Sequence, residues 1–390
     1  MKILYYTTED MQKIGGGCTH FLGLARCLQD MGLTLKILIP GYRPYSGKFY
    51  GLPVYRVPTL KKGYAGYLLF ELLCIPFFTV TCIFFRPDVI YGRIALIHCF
   101  PLILAKILGI PYILEQNGIA EEEYKLRGFP KFLNKLLVYI NKINLCFATK
   151  IRVVTPGIQA GLISRYGVPS EKCFIISNGA DTSLFRPIPI EKARKQVSFD
   201  KDLFYIGFVG SFAPWQGLTQ LLEAFSLVRQ TYATGIKIVL VGDGEEELRL
   251  RELVIEKQLA NLVEFRGRVD HELIPYYINA FDLCYIQKQG LSFGFSPLKL
   301  YEYMACGKSI LAGAVRGIKE PVQQAGCGYI FNPEDIDNLA DNIVKAYKER
   351  TSLEMIGRRG RHLCNINYNW KGLAEKLVHI FLYLQKKEIS

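Results

Sequence analysis

Residues 204–244 read FYIGFVGSFAPWQGLTQLLEAFSLVRQTYATGIKIVLVGDG: an apolar run ending at Gly210, a helix, and a second apolar run ending at Gly242. Strands buried on both faces have no polar side to alternate with, so two such runs joined by a helix predict a parallel β-α-β unit. Downstream the pattern continues through an acidic helix, VEFRGRV (263–269), a short helix, DLCYIQ (282–287), a helix, SILAGAV (309–315) and then GYIFNP (328–333). That succession predicts a doubly wound α/β domain, whose ligands gather at the carboxyl ends of its strands.

Upstream the same alternation runs through KILYYT (2–7), TLKILIP (34–40), VYRVP (54–58), DVIYGR (88–93), PYILEQN (111–117), IRVVTP (151–156) and CFIISNG (173–179). A chain of 390 residues also exceeds one core, because single cores stop growing near ~250–300 residues. Two Rossmann-like domains are expected, 1–188 and 189–368, meeting at SLFRPIPIEKAR (183–194), where two prolines suit a hinge. The last segment, 369–390, has Leu373, Leu377, Ile380, Phe381 and Leu384 at helical spacing. It is expected to cross back to the first domain, packing across both.

Half of the residues are hydrophobic and 21% charged, which excludes a disordered chain. Residues 1–190 hold 22 Lys and Arg against 11 Asp and Glu, and residues 191–390 hold 26 against 24. Such a field draws the first half toward an anionic membrane surface, a phosphorylated acceptor or nucleic acid. No recognition-helix or RNA-binding pattern accompanies it, so nucleic acid is not an expected partner. The eleven cysteines form no CxxC pair and no metal spacing, and read as thiols in a reducing cytosol. MKILYYTTED opens as a first strand rather than a signal peptide, so a cytoplasmic protein is expected, peripheral on the inner face of the membrane where its basic half meets lipid.

Leu68–Phe85 approaches the length of a bilayer span but contains Glu71 and Pro76, which fits a buried or membrane-surface helix. YKLRGFPKFLNKLLVYINKINLCFATK (124–150) interleaves Lys and Arg with apolar residues, as either a membrane-surface helix or an ordinary surface helix does.

After the first strand, Gly15, Gly16 and Gly17 precede a helix, where backbone amides can approach an anion or simply turn the chain. A dinucleotide fingerprint would need a glycine where His20 stands and an acid where the second strand ends Ile39-Pro40. A nicotinamide oxidoreductase is therefore disfavoured. Asp335 and Asp337 spell D-x-D but follow Asn332-Pro333 and open a helix, so they read as a helix N-terminus and no metal is expected.

GGGCTHFLGLARCLQDMG (15–32), VVTPGIQAGLISRYGVPSEKCFIISNGADTSLFRP (153–187), VGDGEEELRLRELV (241–254), VEFRGRVDHELIPYYINAFDL (263–283) and LKLYEYMACGKSI (298–310) follow one another in this order. In that order the chain resembles the retaining family 4 glycosyltransferases of the GT-B fold, over nearly its whole length. The resemblance implies two Rossmann-like domains facing each other across a cleft and an acceptor side in the first. It also implies a UDP- or GDP-sugar donor at the second, with no cofactor. Glu302 would accept hydrogen bonds from the donor ribose diol. Ser296, Pro297 and Leu298 would meet the donor phosphates at a helix N-terminus, with Lys299 adding a charge. Gly267, Arg268 and Val269 would grip the base, and Gly16 and Gly17 would line the donor.

The chain departs from the family where Gly210-Ser211 runs to Gln216-Gly217, a loop in which many members carry an Arg and a Lys that are both missing here. Gly294 stands where the family has the first of its two glutamates. Lys299, Arg266, Arg268 and Arg93 are the candidates to offset diphosphate charge. Glu115 and Asn117, ending PYILEQN, stand where many members place a His near the transferred sugar; with Lys299 they are the candidate catalytic residues, and His20 and Arg93 the acceptor-side candidates. The implied reaction is metal-independent transfer of a hexose to a glycan or lipid-linked acceptor, as in bacterial surface-glycan assembly. The alternative is a catalytically weak nucleotide-sugar or glycan-binding partner of another enzyme.

Overall fold

A computed structural model describes residues 1–8, 16–41, 51–59, 64–93, 99–126, 130–231, 235–290 and 292–389. The chain divides into two compact units, Met1–Asn178 with Trp370–Ser390, and Gly179–Asn369.

The first unit runs β1 (Lys2–Thr7), α1 (Gly16–Asp30), β2 (Thr34–Gly41), β3 (Val54–Pro58), α2 (Tyr64–Phe85), β4 (Val89–Arg93), α3 (Phe100–Ile107) and β5 (Tyr112–Gln116). It continues with α4 (Ala120–Leu126), α5 (Lys131–Phe147), β6 (Lys150–Val153), α6 (Pro156–Tyr166) and β7 (Cys173–Ile175). The strands form one sheet in the order β3-β2-β1-β4-β5-β6-β7, every pair parallel. Right-handed crossovers place α1 on one face and α2, α3 and α5 on the other. Alternation along β1 agrees: Tyr5 packs on Phe21 of α1, and Tyr6 on Phe70 and Phe78 of α2.

The second unit runs α7 (Ile190–Val197), β8 (Phe204–Val209), α8 (Leu218–Thr231), β9 (Ile236–Val241), α9 (Glu247–Glu256), β10 (Val263–Gly267), α10 (Ile274–Ala280) and β11 (Leu283–Ile286). It goes on with α11 (Leu298–Ala305), β12 (Ser309–Gly313), α12 (Lys319–Ala325), β13 (Gly328–Phe331), α13 (Ile336–Lys348) and α14 (Leu353–Asn367). Its parallel sheet has the order β10-β9-β8-β11-β12-β13, with a core on each face, Tyr205 pointing into one and Ile206 into the other.

The units part after Asn178, ten residues before the expected end at 188. Residues 179–188 are bonded into the second unit: the Ala180 amide donates to the Tyr368 carbonyl, and Arg361 donates to the carbonyls of Thr182 and Phe185. Of the prolines that suggested a hinge, Pro187 sits inside this stretch and Pro189 caps α7. The final helix, α15 (Trp370–Ile389), crosses back and is counted wholly with the first unit. It buries Leu373, Leu377, Phe381 and Leu384 and packs on α1 and β4.

Candidate functional site

Each unit gathers polar groups at the carboxyl ends of its central strands. In the first, Glu115 ends β5 with its carboxylate at 0% exposure. It accepts from Arg152 of β6 at 2.9 Å, from Tyr91 of β4, from Asn117 Nδ2 at 2.6 Å, and pairs with His20 Nε2 at 2.9 Å. Arg93 lies 3.6 Å away and also donates to the Gly17 carbonyl. Arg152 spends its other donors on Tyr91, Ile176 and Ser177. Burial alone would push the Glu115 carboxyl up; the donors and charges of His20, Arg152 and Arg93 outweigh it and hold it well below the usual range. Burial drives the His20 imidazole down to about 4, against the upward pull of Glu115.

Glu115 and His20, expected to meet sugar or acceptor, are both at 1% exposure, with four hydrogen-bond partners around the Glu115 carboxylate and Arg93 3.6 Å away. Asn117 and Arg93, only partly buried, are the members of this cluster left able to touch a ligand. Among the described residues, Asn117 Oδ1 and His20 Nδ1 have no hydrogen-bond partner. Of the glycines, Gly16 and Gly17 lie in the first turn of α1 rather than before it, and Gly15 falls outside the described residues.

In the second unit the loop after β8 holds the expected donor residues. Gly210 has φ 146° and Gly242 φ 135°, and a Cβ on Gly242 would stand 1.9 Å from the Gly210 carbonyl oxygen. Only glycine permits this approach of two strand ends. Lys299, in the first turn of α11, donates to Gln216 Oε1 at 3.1 Å, stands over the Phe208 ring at 4.0 Å, and would be 2.6 Å from a Cβ on Gly210. The loop that lacks its own cations thus receives one from α11. Burial lowers the Lys299 ammonium to about 7, with Glu302 opposing and Lys288 adding to the fall. Burial likewise raises the Glu302 carboxyl to about 7, opposed by Lys299. Among the described residues, Glu302 makes no side-chain hydrogen bond.

Ser211 is exposed; Ser296 is buried with its hydroxyl on Tyr301, 2.8 Å away; Pro297 caps α11 and Leu298 opens it. Gly267 ends β10 with φ 63°, its carbonyl accepting from Gly242. Arg268 is exposed and 3.3 Å from Asp243, and Val269 packs on the core. Arg266 is paired with Glu264 and lies over Phe199, so it is withdrawn from the loop. Asp335 caps α13 by accepting from the Asn338 amide at 2.8 Å, as a helix N-terminus requires. Beside the loop, past β11, β12 and β13, a cavity of about 670 Å³ is lined by Lys288, Ser292, Arg316, Asn332 and Glu334.

Three residues escaped the sequence reading. Arg152 was legible only as a charge inside an apolar strand. The Tyr285 hydroxyl, with one proton to give, lies within hydrogen-bond distance of both the Gly217 carbonyl, at 2.7 Å, and Gln287 Oε1. Gln287 is fully buried beneath Gly217, and nothing in DLCYIQ marked it.

Two parallel-sheet Rossmann-like units with polar groups at their strand ends define a protein of the GT-B fold. The model for glycosyl transferases group 1 matches residues 189–363, and that for glycosyltransferase family 4 matches residues 14–184. The chain belongs to the family 4 glycosyltransferases. It is 26% identical over 255 residues to an uncharacterized glycosyltransferase of Methanocaldococcus jannaschii, covering 64% of each chain. It is 25% identical over 217 residues to a lipopolysaccharide 1,2-N-acetylglucosaminetransferase of Salmonella typhimurium, covering 54% of this chain and 56% of that one. The matches thus span about half to two thirds of these relatives' length. Among solved structures, Anabaena HepE in complex with UDP superposes with a TM-score of 0.77 at 21% identity, over 98% of this chain and 100% of that one.

Proposed function

We propose that this chain is a retaining, metal-independent hexosyltransferase that moves a sugar from a nucleoside diphosphate to a glycan or lipid-linked acceptor in bacterial surface polysaccharide synthesis. The observation that carries this reading is the Lys299 ammonium resting against Gly210 and Gln216. A departing diphosphate accumulates negative charge, and a cation already held at that loop stabilises it without reorganisation. The reaction is taken as metal-independent because Lys299 and the amides opening α11 supply this compensation. The phosphate that leaves takes the acceptor's proton, so no separate base is assigned. Glu302 accepts from the ribose diol, and Asn117 and Arg93 are the acceptor-side contacts, with Glu115 and His20 holding them in place. HepE, crystallised with UDP, and a GDP-mannose-dependent relative support a nucleoside diphosphate sugar donor, and the Salmonella lipopolysaccharide glycosyltransferase supports a lipid-anchored acceptor.

The test is heat denaturation with a panel of UDP- and GDP-sugars, followed by donor turnover. A ligand at 100 times its Kd stabilises by about 2.7 kcal/mol. One nucleotide-sugar is expected to raise the midpoint, and Glu302→Ala to abolish the rise. Turnover is expected to persist in EDTA. Donor binding without turnover in the presence of candidate acceptors would instead favour the binding-partner reading, which the missing loop cations motivate.

A further inference from the structure

Helix α2 is apolar on both sides. Its inner side buries Phe70, Cys74, Phe78, Cys82 and Phe85 against the sheet. Its outer side exposes Leu72 (64%), Phe77 (43%), Val80 (52%), Ile83 (53%) and Phe84 (79%). From Leu72 to Phe85 there is no charged or amide side chain. The two threonines there donate to carbonyls four residues back, Thr79 to Ile75 and Thr81 to Phe77, each at 2.7 Å. A water-facing helix carries charge on its outer face; here even the hydroxyls are satisfied within the helix, as they must be where no water competes. Burial raises the Glu71 carboxyl at the start of this stretch to about 9, so it adds no negative charge at neutral pH.

Neighbouring helices of this layer also expose apolar residues. Helix α3 packs against both α2 and α5 and exposes Ile107, while α5 exposes Phe132, Leu136 and Tyr139. Lys131, Lys135 and Lys142 stand exposed beside the last three. At the other end, the Lys2 and Lys36 ammoniums lie over the Phe85 ring at 5.8 and 4.9 Å, next to exposed Arg86. Helices α2, α3 and α5 together carry four lysines and the single carboxyl of Glu71.

We propose that this helical layer is a docking surface for an anionic lipid bilayer, with α2 lying in the plane of the headgroups and its outer side against the acyl chains. An apolar band rimmed by cations matches hydrocarbon rimmed by phosphate. A second copy of the same face would set lysine against lysine. Leu72 to Phe84 spans only ~18 Å along a helix, and among the described residues no helix is long and apolar enough to cross a membrane, so the contact is with one leaflet. The inference does not depend on the donor reading.

Flotation of the full chain with phosphatidylcholine vesicles, with and without phosphatidylglycerol, tests it. Co-flotation is expected with the anionic vesicles at low salt, weakened about tenfold or more by Val80→Glu with Phe84→Glu, and similarly by Lys131→Gln with Lys135→Gln and Lys142→Gln. Circular dichroism and UDP-induced stabilisation should stay as in the parent. A Phe84→Trp chain should shift its emission to the blue on adding the anionic vesicles. Failure to float, equal flotation with neutral lipid, or variants that float like the parent would each overturn the proposal. So would a dimer, seen by light scattering, that Val80→Glu with Phe84→Glu dissolves in a chain that does not float.

Discussion

Glu115 and Arg152 are a buried pair whose worth lies in being whole, because removing one partner leaves the other charged and dry, at a cost of about 3–5 kcal/mol. Arg152→Met should destabilise by that order in urea titration, and Glu115→Gln with Arg152→Met by less than the sum of the two single changes. His20 gives this cluster a pH signature. Its folded value near 4 lies below its ordinary 6.5, so as pH falls through that window the unfolded chain binds a proton that the folded chain refuses. Stability is lost there, by up to about 3 kcal/mol; urea midpoints at pH 7 and 4.5 should show it, and His20→Gln should flatten it. Glu115, held low, adds its own loss only below the ordinary carboxylate range. At the donor loop the sign is different: Lys299 must be charged to help, and with its proton leaving near pH 7, binding of UDP at pH 8 should take up close to one proton. Calorimetry in two buffers of unlike ionisation heat reads this. Lys299→Met should abolish the uptake and weaken UDP by about 10- to 100-fold, the loss of one charge-assisted bond.

In the first unit α15 packs closely on α1. A Cβ on Gly23 would lie 2.6 Å from the Trp370 indole, and the same indole meets the His20 ring edge-on at 5.1 Å between centroids. Gly23→Leu is expected to cost about 1–3 kcal/mol by overpacking, and Trp370→Ala about 3–5 kcal/mol by leaving a void. Combined, the two should cost less than their sum, since the new side chain fills the space of the old; a double-mutant cycle by thermal melting decides it. In the second unit, Gly242→Ala sets a methyl on the Gly210 carbonyl and should lose UDP-induced stabilisation along with about 2 kcal/mol or more.

At the scale of the molecule, two units each have their own core, so unfolding need not be a single step. Under the proposed function, UDP bound by the second unit should raise the urea midpoint of that unit's transition, followed by Trp215, and leave the transition followed by Trp370 in place. Equal shifts of both probes would mean that the units unfold together.

The sequence by itself determined the thirteen strands, their parallel arrangement and their grouping in two domains, because a strand buried on both faces must be apolar along its whole length. VEFRGRV and LKLYEYMACGKSI likewise placed Gly267 at a strand end and Glu302 in a helix. Tertiary structure decided what depends on residues distant in the chain. Glu115 is buried because Tyr91, Arg152 and His20, from three other elements, close around it. The loop at 210–217 looked uncharged until Lys299, 83 positions beyond Gln216, was folded onto it. The boundary at Asn178 depended on Arg361 reaching back to Thr182 and Phe185. A linear pattern records which way a side chain points within its own element; only packing decides which charge it meets there.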